Sequence, residues 1–186
     1  MRLVTDSYFE SVWDETVKKI ITINQEILNF WGDGAPGWAP ERAVALLAKS
    51  RLDWQVSLSN SLNNWRRASP EELSDGDLIL AWANLGCLVE GTMKLMLAVF
   101  YEDYSKDLSK PDREPDALYF EPMIRYFKNT DLLSPAEHEL CKLVQSRRNA
   151  IHAFRDRNIG NAAEFLAALK SYHSFLVSVE SRLPTP

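Results

Sequence analysis

Phe165, Leu169, Tyr172, Leu176, Val179 and Leu183 follow one another in alternating steps of four and three, a spacing that only a helix turns into a continuous apolar seam. The same period governs the start of the chain. Phe9, Trp13, Val17, Ile20, Ile23, Ile27 and Trp31 fall on one helical face until the run Gly32-Asp33-Gly34-Ala35-Pro36-Gly37 ends it. A second helix is predicted from Pro40-Glu41 onward, with Val44, Leu47, Trp54, Leu58, Leu62 and Trp65 as its stripe. Ser69-Pro70-Glu71-Glu72 and Asp75-Gly76 then break the pattern and offer N-cap chemistry. The third helix, over residues 77–101, is apolar on nearly every side and belongs in the middle of a bundle.

A loop of opposed charges over 102–116 leads to a short helix over 122–128. Ser134-Pro135-Ala136-Glu137 has the layout of a capping box, and a helix runs from it toward His152. Asn161 to Glu164 repeats the capping arrangement, and Pro184 and Pro186 close the last helix. No strand alternation of useful length interrupts this pattern. The expected fold is all-α, an antiparallel bundle of four to five long helices plus a short one. Residues 1–186 read as a single domain, with 1–67 as an N-terminal helical arm on the remainder.

Composition excludes several classes. The chain is 46% hydrophobic and 25% charged, ordinary for a folded protein, and its 7 Gly and 9 Pro disfavour a turn-rich β sandwich. The apolar run from Leu78 to Val89 falls short of a membrane span, and Met1 to Glu10 lacks a signal-peptide layout, so a cytoplasmic protein is expected. Cys87 and Cys141 sit in apolar helical patterns and read as buried thiols rather than a disulfide or metal knuckle. The net charge of -5 argues against wholesale coating of nucleic acid and leaves room for a local basic site.

One segment supplies that site. Lys142, Arg147, Arg148, Arg155 and Arg157 stand in the run KLVQSRRNAIHAFRDR against Asp156 alone. On a continuous helix Arg148 and His152 would share a face, whereas Arg147 and His152 would diverge by about 140°. An imidazole and a guanidinium presented together suit phosphodiester chemistry, one moving a proton and the other holding phosphate oxygens. The same residues also suit a helix C-terminus, where basic side chains meet the last carbonyls and the dipole. His138 and His173 read as surface or packed histidines. No HExxH or HxxxH spacing and no glycine-rich phosphate loop occur, so neither metal nor cofactor is expected. Glu90, a charged residue within the apolar third helix, pairs with Lys94 one turn on or orients one of the two arginines. The tryptophans sit at core spacing, with Trp38 in its Gly- and Pro-rich loop as the exception.

Arg147, four intervening residues and His152, within SRRNAIHAF, resemble the signature of HEPN domains (higher eukaryotes and prokaryotes nucleotide-binding). The resemblance spans 77–183. It implies an all-α bundle, commonly dimeric, in which Arg and His from two copies meet to cleave RNA without a metal. Two departures stand out. The Asn that usually follows the motif arginine follows Arg148 instead of Arg147, so spacing favours one arginine and the neighbour the other. Where a toxin subgroup carries a Tyr two residues after the His, this chain has Phe154.

The resemblance thus implies a metal-independent endoribonuclease for single-stranded RNA, a homodimer and a toxin or defence component with an antitoxin or other protein partner. His152 would act as acid or base, Arg147 and Arg148 would hold the phosphate, Asn149 and Glu90 would orient them, and Arg155 and Arg157 would contact substrate. The alternative is a non-catalytic module of the same kind that binds nucleotide, RNA or a protein.

Overall fold

In a computed structural model of the chain, which describes residues 2–33, 39–67, 72–152 and 156–184, the helical period becomes eight α-helices and no strand among the described residues. Four are long: α1 (Arg2–Trp31), α4 (Asp75–Val99), α7 (Pro135–Arg148) and α8 (Ala162–Arg182). Between them lie α2 (Glu41–Leu47), α3 (Leu52–Ser61), α5 (Tyr101–Lys106) and α6 (Phe120–Asn129). Trp38, the Ser69-Pro70-Glu71 cap, Phe154 and Arg155 fall outside the described residues.

The architecture is all-α. The α8 seam is buried along its whole length, and on α1 only Ile23 of the predicted face is partly open. Trp13 of α1 and Trp82 of α4 both pack on Phe165 of α8, with ring centroids 5.7 and 4.9 Å away. Each such aromatic pair adds about 0.5–1.5 kcal/mol to the burial of its rings. α4 packs against α2, α3, α7 and α8, as expected of a helix with so little polar surface. Its length and composition would also suffice to cross a bilayer, but most of its surface is covered by those neighbours. One side stays open at Leu80 and Cys87, so Cys87 is exposed rather than buried, while Cys141 is buried as expected.

Capping fixes the helix starts. Ser74 and Asp77 form a reciprocal capping box at α4, and Ser134 and Glu137 form another at α7. Asn161 Oδ1 accepts from the Glu164 amide at the start of α8. The charged stretch after α4 is more ordered than a loop, since Tyr101–Lys106 is helical and Pro115–Ala117 makes a 3-10 turn.

The single second helix of the sequence pattern is divided. It breaks between α2 and α3, where the Ser50 hydroxyl donates to the Leu47 carbonyl and Arg51 adopts φ -106°, ψ 62°. α3 then buries Leu52, Gln55 and Ser59 instead of the Trp54 and Leu58 stripe, and the following 3-10 turn (Leu62–Trp65) buries Leu62. The cause is a polar knot inside the core. Asn24 Nδ2 donates to Ser59 Oγ at 2.9 Å, Ser59 Oγ to the Gln55 carbonyl, and Gln55 Nε2 to the Leu88 carbonyl at 2.8 Å. Thr92 Oγ1 and Tyr172 Oη, 3.1 Å apart, complete it, and burial pushes the Tyr172 phenol up. Four helices are thereby joined through hydrogen bonds between buried polar side chains and backbone carbonyls, the condition under which such groups are tolerated in a core.

Candidate functional site

The basic segment gathers at the C-terminal end of α7. The α-helix stops at Arg148, residues Asn149–Ile151 form a 3-10 turn, and His152 leaves helical geometry at φ -85°, ψ 83°. The expectation that Arg148 and His152 stack on one continuous helix face is therefore corrected, because the helix ends between them. Beyond the turn, the returning chain is tied down twice. Trp82 Nε1 donates to the Ile159 carbonyl at 2.8 Å, and Arg147 Nη1 donates to the Asn158 carbonyl at 2.5 Å.

The two arginines have different surroundings. Arg147 is only 12% exposed and commits all three of its nitrogens, with Nε and Nη2 reaching the two Glu164 oxygens at 2.6 and 3.2 Å. This clasp uses Gly160, whose φ of 68° is left-handed and whose missing Cβ would stand 2.5 Å from Glu164 Oε1. Arg148 is 27% exposed and donates from Nη1 to Glu90 Oε2 at 2.6 Å. Its guanidinium lies 4.8 Å from the Phe120 ring centroid, and its Nε and Nη2 have no partner among the described residues.

Glu90 answers both alternatives of the sequence reading. Its other oxygen is 2.9 Å from Lys94 Nζ, so one carboxylate holds both cations. Burial pushes the Glu90 carboxyl up, but Arg148 and Lys94 outweigh it and leave the group below its usual value. Close approach is possible because Gly86 lies beneath Arg148 on α4.

His152 is exposed, and its ring has no hydrogen-bond partner among the described residues. Asn149 is half-buried with its side-chain amide likewise uncommitted. Arg157 is half-buried, and its Nε is shielded without a partner among the described residues. Lys142 turns away to Glu121 at 3.4 Å. His138 and His173 are partly buried elsewhere, and burial beside Lys19 lowers the His173 imidazole.

This geometry can hold an anion at Arg148 and present an unshared imidazole a short turn away. Sequence reasoning missed three participants, Gly86, Phe120 and Glu164. In the sequence Glu164 reads only as a capping residue, and the glycine carries no periodic signal. A scan against protein-family models matches no family to the chain, and searches of curated proteins and of solved structures find no match.

Proposed function

We propose that the chain is a HEPN-type, metal-independent endoribonuclease that cleaves single-stranded RNA as a homodimer. The observation carrying this reading is the combination of Arg148, poised by Glu90 with two nitrogens unshared among the described residues, and the exposed His152 beyond the same helix end, whose ring has no partner among them. His152 accepts the proton of a ribose 2′-hydroxyl, the oxygen attacks the adjacent phosphorus to form a 2′,3′-cyclic phosphate, and the imidazolium returns a proton to the departing 5′-oxygen. Arg148 neutralises the charge that grows on the phosphate oxygens, the step at which a positioned guanidinium has most effect. Leu80 and Cys87 lie two turns apart on the open side of α4, next to the turn carrying exposed Ile151, and this strip supports self-association. A cytoplasmic toxin or defence role, restrained by an antitoxin or other protein, completes the proposal.

Cleavage of single-stranded RNA in the presence of chelator tests it. The His152→Ala protein should lose cleavage and keep its helical circular dichroism. Undiminished cleavage by that variant ends the assignment. A non-catalytic binding module is the second reading, favoured by the complete engagement of Arg147, the arginine with the family's spacing. It predicts RNA binding with no product in either protein.

A further inference from the structure

Between α2, α3 and α4 lies a cavity of about 440 Å³, walled by Leu46, Leu52, Leu95, Ala98 and Pro115 and edged by Lys49, Lys94, Asp116 and an Arg51 that is paired with Asp53. That volume falls within the range of small-molecule sites, and an apolar wall with a few polar groups is their usual makeup. Four features select the ligand. Trp54 is 58% exposed at the cavity edge, with the Arg51 guanidinium 4.0 Å over its ring. Lys49 stands at the rim with its ammonium free of any partner among the described residues. Lys94, on the same rim, is held by Glu90 and by the Asp116 carbonyl at 3.2 Å.

The fourth feature is Gln55, only 9% exposed, whose Nε2 is fixed on the Leu88 carbonyl. That bond sets the orientation of the amide. Its Oε1 rests against Gly91, in space that any side chain at 91 would take, and has no donor opposite it among the described residues. An amide acceptor left open in the lining of the cavity favours an N–H on whatever enters.

We infer that this cavity is a purine-nucleotide site, with the base lying along Trp54, a base N–H directed to Gln55 Oε1 and the phosphate on Lys49. A purine offers the larger stacking face, stacking on an aromatic residue contributes substantially to nucleotide binding, and an unpaired ammonium suits a phosphate. The identity of the ligand as a ribonucleotide rests on the RNA reading above; the cavity's fit to a planar anion does not. Lys94 shares Glu90 with Arg148, so a single carboxylate separates this rim from the candidate cleavage site. One side of the cavity, with Lys49, Trp54 and Gln55, comes from the N-terminal helices, which the HEPN resemblance leaves without a role.

Titration calorimetry of the full chain with AMP, ribose 5-phosphate and hexa-adenylate tests the assignment. AMP should bind, ribose 5-phosphate should bind at least tenfold more weakly, and Trp54→Ala should weaken AMP about tenfold. Lys49→Ala should weaken AMP several-fold and leave the base preference intact. Both substituted residues are exposed, so helical content checked by circular dichroism should not change. Tighter, Trp54-dependent binding of hexa-adenylate assigns the site to a nucleotide of the RNA strand, and AMP binding alone assigns it to a free nucleotide. No binding by either, equal binding of ribose 5-phosphate, or indifference to Trp54→Ala overturns the inference. The cleavage result with His152→Ala is read separately, so the two proposals fail independently.

Discussion

The stem of Arg148 crosses the backbone of Gly86 so closely that a Cβ at position 86 would stand 2.6 Å from Arg148 Cδ and 3.1 Å from its Cβ. The glycine therefore determines whether Arg148 can lie along α4 and reach Glu90. Gly86→Ala should lift the arginine off the helix and lower RNA cleavage about 10- to 100-fold, the cost of misplacing a catalytic group by roughly 1 Å. Comparing single-turnover rates at unchanged circular dichroism checks this, and a rate equal to wild type would contradict it.

Arg147 has a stabilising part that can be measured apart from any activity. Arg147→Ala removes the Glu164 pair and the Asn158 contact together and leaves a carboxylate partly shielded without its cation. A loss of about 2 kcal/mol in urea unfolding is expected. Arg147→Lys should recover little of it, because an ammonium cannot span both oxygens and the carbonyl.

Acid should weaken the fold through Glu90. Its carboxyl lies below the usual 4.5 in the folded state, so the unfolded chain binds the proton more readily there. The contribution is full above about pH 4.5 and is lost as the pH falls through the folded value. The stability gap between wild type and Glu90→Gln, measured by thermal unfolding, should be widest near neutrality and shrink in acid.

The two thiols should differ in reactivity. Cys87 reaches solvent, although burial of its surroundings raises its pKa, while burial pushes Cys141 up to about 12. A disulfide reagent should label one thiol slowly in the native protein and both in denaturant. Rapid native labelling of two would show that α7 opens from α4.

The apolar seams of α1 and α8 are legible because, Ile23 aside, every third or fourth residue there is both hydrophobic and buried. α3 was not, for a physical reason: its buried side carries Gln55 and Ser59, whose partners Leu88 and Asn24 come from other helices and leave no local signal. A stripe drawn through the hydrophobic residues therefore placed Trp54 inward. Likewise the basic run was visible in the sequence, but the division of labour between Arg147 and Arg148 was not. It depends on Glu164 and Glu90, which stand 17 and 58 residues away along the chain.

The clasp of Arg147 by Glu164 and of Arg148 by Glu90 means that the folded surface brings its own counterions to the basic run. When a polyanion binds, the small ions it displaces count only those cations still facing solvent. The ionic-strength dependence of that encounter should be shallower than the five positive side chains between Lys142 and Arg157 would give. Loosening the start of α8 should steepen it, because Glu164 would no longer neutralise Arg147.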